Sequence, residues 1–94
     1  MAYPFLEELT NIIKTRHESP SSGSYTSSLF QEGLDRILRK VGEEAGEVVI
    51  AAKNDDLGEL SNEAADLLFH LMVLLEQRGL SLPDIEQTLR DRHL

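Results

Sequence analysis

KVGEEAGEVVIAAK at residues 40–53 and EAADLLFHLMVLL at residues 63–75 decide how this chain folds. In the first, Val41, Ala45, Val48 and Ala52 recur at steps of three and four, the period of one face of an α-helix. In the second, Leu67, Leu68, Leu71, Leu74 and Leu75 do the same, close to a heptad. Each stretch also carries two acids three residues apart, Glu44 with Glu47 and Glu63 with Asp66. At about 100° per residue, Glu47 lies about 60° from Glu44 on one side, and Val41, Val48 and Ala52 lie about 40–80° away on the other. Asp66 stands in the same relation to Glu63, with Leu60, Leu67 and Leu71 on the opposite side. Packing the two apolar stripes together therefore predicts that the acid edges meet in a partly desolvated cleft. Four negative charges are unfavourable there without a cation. The predicted ligands Glu44, Glu47, Glu63 and Asp66 offer only oxygen, which suits Mg²⁺ and also Mn²⁺.

Working outward, the first stretch belongs to a helix predicted from about Leu29 to Lys53, with Leu34, Ile37 and Leu38 joining its core face. Asn54 and Asp55 interrupt it, and Asp55 or Asp56 caps the next helix, which adds Leu57, Leu60 and Ala64 to the second stripe. Gly79 is placed as the stop of that helix. Ser81 with Asp84, and Pro83 in the first turn, predict a short last helix ending near Arg92. Upstream, Pro4 opens a helix with Phe5, Leu6, Leu9, Ile12 and Ile13 on one face, ending near His17. ESPSSGSYTSS, from Glu18 to Ser28, has the composition of a loop. No segment alternates as a strand does, so the fold is predicted all-α, a single domain over residues 1–94.

Composition narrows the function. Ninety-four residues leave much surface uncovered, so a homodimer is expected, the two long antiparallel helices of each subunit forming a four-helix bundle. Loop residues of one subunit then come within reach of the partner's acids. The absence of cysteine excludes disulfides and thiolate chemistry and fits a cytoplasmic protein. No signal-like start and no apolar run of about eighteen residues is present, so membrane insertion is not expected. A formal charge of −8 opposes nucleic-acid binding.

The same two stretches resemble the Glu-Glu-x-x-Glu and Glu-x-x-Asp signature of the all-α nucleoside triphosphate pyrophosphohydrolases. SYTSSLFQEG (Ser24–Gly33), KVGEEAGE and RGLSLPDIEQTLRDRH (from Arg78) are similar, more narrowly, to the phosphoribosyl-ATP pyrophosphohydrolases of histidine biosynthesis. Nearly the whole chain after Arg16 takes part, and Phe69 departs from the Tyr that many relatives carry. The resemblance implies hydrolysis of phosphoribosyl-ATP between its α and β phosphates, giving phosphoribosyl-AMP and pyrophosphate. It also implies an assembly that is at least dimeric. Related chains are sometimes fused to the cyclohydrolase that acts next; no second domain follows here, so a separate enzyme is expected.

Other residues then acquire candidate roles. Glu43, about 100° from Glu44, is an orienter behind the ligands, a base for the attacking water, or a solvated acid. Lys40, one turn before the acids, contacts phosphate or offsets their charge, and Arg36 and Lys53, with Arg39, Lys14 and Arg16, are the other cations available to a triphosphate. Ser24, Tyr25 and Thr26 offer hydroxyls and an aromatic face from a loop able to close over substrate. His70 lies one turn beyond Asp66, as a ligand, a partner of a ligand, or a packed residue with a satisfied hydrogen bond. His17 and His93 have no partner at ligand spacing. The metal chemistry would equally serve a surplus nucleoside triphosphate, and solvating carboxylates on a helical dimerisation module are the non-enzymatic alternative.

Overall fold

Only Asn54, Asp55 and Asp56 separate the two acid-bearing stretches, so the chain must reverse between them. In the computed structural model, which describes residues 3–92, it does so between α3 (Leu34–Lys53) and α4 (Leu57–Gln77). Asp55 takes the left-handed conformation at φ 57°, which aspartate tolerates better than most residues, and the Asp56 side chain accepts the Glu59 amide at 3.0 Å to cap α4. These two helices form the most extensive interface in the chain. Before them come α1 (Pro4–Glu18) and α2 (Tyr25–Glu32), and after them α5 (Leu82–Arg92). No strand occurs among the described residues, and the fold is all-α.

Two expectations about the first half change. The predicted helix from Leu29 to Lys53 is two helices broken at Gly33, whose φ of 98° and ψ of −177° lie in a region essentially reserved for glycine. The predicted loop from Glu18 to Ser28 ends early, because Ser24 accepts the Ser27 amide at 3.1 Å and starts α2 at Tyr25. The Ser-rich composition hid an N-cap followed by residues that pack: Ser27 and Leu29 are buried. Ser27 further holds the remaining loop, its hydroxyl accepting the Ser21 amide at 3.0 Å. The signals around α4 and α5 stand where they were read, with Gly79 at φ 82° and both the amide and hydroxyl of Ser81 donating to Asp84.

The core is built from Ile13, Leu29, Ile37, Met72 and Val73, with Leu6, Leu9, Phe30, Leu68 and Phe69 packed around it. At the open end of α1, the His17 ring stacks on Phe30 with centroids 4.3 Å apart, and its Nδ1 meets the Glu76 carboxylate at 2.8 Å. The phase of α3 differs from expectation. Its buried apolar residues are Ile37 and Ala51, whereas Leu38, Ala45 and Ala52, assigned to the core, are exposed. Ile37, Glu44 and Ala51 lie within about 20° of one line along the helix. The face packed on α4 is therefore centred on Glu44, rather than bordered by it. On α4, Leu57, Ala64 and Leu71 are exposed where a core stripe was expected, and Met72 and Val73 are buried instead, because α4 packs against α1 and α2 as well as α3. Leu38, Val49 (64% exposed), Ile50 and Leu57 (76% exposed) are left as uncovered apolar surface.

Two substitutions test this packing. Ile37→Ala is expected to lower unfolding free energy by about 2–5 kcal/mol, the usual range for emptying a fully buried aliphatic site. Gly33→Ala is expected to cost about 1–3 kcal/mol by forcing a side chain into a glycine-only backbone conformation, although nothing lies near the added methyl. Urea unfolding of both variants measures these losses.

Candidate metal centre

The reversal at Asn54–Asp56 sets the middle of α3 opposite the first half of α4, and that is where the acids meet. One carboxylate oxygen each from Glu44, Glu63 and Asp66 lie within 4.8 Å of one another. The Glu44 side chain is only 12% exposed, Glu63 is half-buried and Asp66 is exposed, so the cluster opens on one side. Glu47, on the next turn of α3, is exposed and lies outside this triplet, yet its charge still acts on Glu63. Burial above all, and then the charges of Asp66, Glu44 and Glu47, push the Glu63 carboxyl above the usual range. Three converging oxygen donors in a site that penalises their charge are what a hard divalent cation requires.

One cation of the chain itself borders the cluster. The Lys40 ammonium lies 3.3 Å from Glu44 and 3.4 Å from Glu43, and its pKa is raised by the hydrogen bond to Glu44, with Tyr25 and Glu43 adding to the effect against desolvation. Glu43 points outward and is 53% exposed. Arg36, one turn before Lys40, pairs with Glu32 of α2, and its pKa is raised first by that contact and further by Tyr25. Lys53 is not brought in: at the last residue of α3 it is roughly 13 Å along and 180° around the helix from Glu44.

The three hydroxyl residues assigned to substrate sit where α2 begins. Ser24 is the cap, Tyr25 the first helical residue, and Thr26 follows, half-buried. Ser21, Ser22, Gly23, Ser24, Tyr25 and Ser28 line an open cavity of about 550 Å³, a size suited to a small polar ligand. The apolar pocket between Ile13, Met72, Leu75 and Leu82 holds only about 20 Å³ and admits no nucleotide. His70 is buried, its Nδ1 lying 2.7 Å from the Asp66 carbonyl and its Nε2 2.8 Å from the Tyr25 hydroxyl. With both nitrogens engaged it is a packed, hydrogen-bonded residue rather than a ligand. No signal in the sequence pairs residues 25 and 70, which only the folding of α2 onto α4 brings together. His17 is tied to Glu76, away from the acids, and His93 lies outside the described residues.

Comparison with known proteins converges on one family. The family model described as phosphoribosyl-ATP pyrophosphohydrolase matches residues 6–93. A histidine biosynthesis bifunctional protein of Oceanobacillus iheyensis is 58% identical over 82 residues, which are 87% of this chain and 38% of that protein. The chain thus spans well under half of that relative. A phosphoribosyl-ATP pyrophosphatase of Streptococcus gordonii is 55% identical over 87 residues, covering 93% of this chain and 84% of the relative. One of Leptospira biflexa is 52% identical over 89 residues, covering 95% and 97%. With a match from the first helix to the last and an acid cluster at its centre, the chain belongs to the phosphoribosyl-ATP pyrophosphohydrolase family.

Proposed function

We propose that residues 1–94 act as one catalytic domain that hydrolyses 1-(5-phosphoribosyl)-ATP to 1-(5-phosphoribosyl)-AMP and pyrophosphate, the second step of L-histidine biosynthesis. The observation that carries this is the convergence of Glu44, Glu63 and Asp66 beside Lys40 in a member of this family. Glu44, Glu63 and Asp66 would hold Mg²⁺, or Mn²⁺ in its place, with Glu47, on the next turn of α3, as the fourth carboxylate. Such an ion would supply charge neutralisation for the triphosphate and a water acidic enough to attack near neutral pH. The water oxygen bonds to one phosphorus of the α–β bridge as the bridging oxygen departs with the other, and the water's proton passes to solvent or to Glu43. Lys40, which lies against Glu44, and Arg36, one turn before it on α3, are the cations that would meet the phosphates. Ser24 and Tyr25 offer hydroxyls at the rim of the Ser-lined cavity, where the ribose phosphate has room, and Thr26 adds a third from the first turn of α2.

The uncovered apolar surface around Leu38, Val49, Ile50 and Leu57 supports a homodimer closed by the α3 and α4 helices of two subunits into a four-helix bundle. No helix among the described residues is long and apolar enough to cross a membrane, which agrees with a cytoplasmic biosynthetic enzyme.

Pyrophosphate release from phosphoribosyl-ATP is expected to require Mg²⁺ and to fall at least about a hundredfold in Glu44→Gln or Glu63→Gln, since even outer partners of metal ligands cost roughly ten- to a hundredfold. Unchanged turnover in both variants would rule the assignment out, and faster cleavage of common nucleoside triphosphates would redirect it to a housekeeping role. The raised Glu63 carboxyl sets the sign of a pH effect. Its contribution to stability is fully present below the unfolded-state value and is lost as pH rises through the folded-state value. Thermal unfolding of the metal-free protein should therefore show stability falling with rising pH through the carboxylate range, more steeply than in Glu63→Gln, with Mg²⁺ reversing the loss. By sedimentation the protein should run at twice 10.6 kDa, and Val49→Glu should shift it toward monomer.

A further inference from the structure

The contact between Tyr25 and His70 lies outside the acid cluster and joins two parts of the chain 45 residues apart. A backbone carbonyl only accepts, so the 2.7 Å contact with Asp66 assigns the proton to Nδ1 of His70. In the neutral ring Nε2 is then the acceptor, and the Tyr25 hydroxyl donates to it at 2.8 Å. The imidazole has little freedom. It is 5% exposed, and Phe69 and Tyr25 meet it edge-on with ring centroids 5.1 Å and 5.8 Å away. Tyr25 itself is 46% exposed, so one end of its ring is fixed while the other borders solvent and the Ser-lined cavity. A phenol whose hydrogen is given to His70 keeps its oxygen lone pairs free to accept from another donor, and the residue that carries it lines that cavity.

We propose that His70 is a positioning residue: anchored on the Asp66 carbonyl, it fixes the Tyr25 hydroxyl at the rim of the Ser-lined cavity, where the phenol oxygen accepts a hydrogen bond from the substrate. The same imidazole thereby ties the substrate-facing start of α2 to the turn of α4 that carries Asp66. Tyr25 touches substrate at the cavity rim, whereas His70 acts only through Tyr25. Because the pair serves binding, its loss should appear in KM rather than in kcat. The kinetic form of this expectation rests on the hydrolysis of phosphoribosyl-ATP proposed above.

A double-variant cycle tests it. Tyr25→Phe and His70→Phe are each expected to raise KM for phosphoribosyl-ATP about tenfold, the worth of one hydrogen bond, with kcat little changed. The double variant should be no worse than either single one, and His70→Gln, which keeps an acceptor near the former Nε2, should recover most of the loss. Losses that multiply, or an unchanged KM in Tyr25→Phe, would overturn the proposal; the latter variant keeps the test decisive if His70→Phe does not fold. Should the wild-type protein leave phosphoribosyl-ATP intact, it is the functional reading that fails. The same cycle read as calorimetric affinity for Mg²⁺–pyrophosphate then decides: equal, non-additive losses uphold the positioning role, and independent or absent losses overturn it.

Discussion

The constraint on which the rest depends is the burial of a carboxylate in the main helix contact. Glu44 sits on the line joining Ile37 to Ala51, in the middle of the face that α3 turns to α4, with 12% of its side chain exposed. A lone buried charge is costly, and here Glu63 and Asp66 stand opposite it rather than a basic residue. Lys40 relieves part of this from the edge. The fold thus holds three acids together by the hydrophobic packing on either side of them, of Ile37 near one end and Ala51 near the other. Packing of that kind preorganises a charge cluster that would disperse in an unfolded chain, and the raised Glu63 carboxyl is the cost that remains.

Much of this was legible in the sequence because helical period and short turns are local properties. The three-residue reversal after Lys53, the cap at Asp56, the stop at Gly79 and the Ser81–Asp84 pair could each be read within a few residues. The paired acids were legible for the same reason. What escaped was anything that depends on which of several apolar arcs meets which neighbour. On α3 the apolar residues cover a wide arc, and the chain uses one edge of it, Ile37 and Ala51, leaving Leu38 and Val49 uncovered. Period alone fixes the helix but not the centre of the buried face. The acids consequently lie in the packed face, where wheel geometry placed them only at its border.

The break at Gly33 and the start of α2 were missed for a different physical reason. A Ser-rich segment reads as a loop by composition, yet one serine at a cap position begins a helix, and the others hydrogen-bond locally. Gly33, inside a stretch with helical period, reads as a tolerated interior glycine until its φ of 98° shows that it separates two axes. That break lets α2 turn across α4 and set Tyr25 against His70, so the feature least visible in the sequence positions the aromatic edge of the site. The resemblance to phosphoribosyl-ATP pyrophosphohydrolases, spread over three blocks, supplied the substrate class that no single residue encodes, and the match over residues 6–93 bears it out at the level of the family.

The most direct test of the central claim, that the α3–α4 packing gathers these acids to hold one divalent cation site, is a titration with paramagnetic Mn²⁺ followed by NMR. Signals of Glu44, Glu63 and Asp66 should broaden first, with Mg²⁺ competing the effect away, and Glu63→Gln should require much more Mn²⁺ for the same change. Broadening spread evenly over the acidic surface, insensitive to Mg²⁺ and to the substitution, would contradict the account.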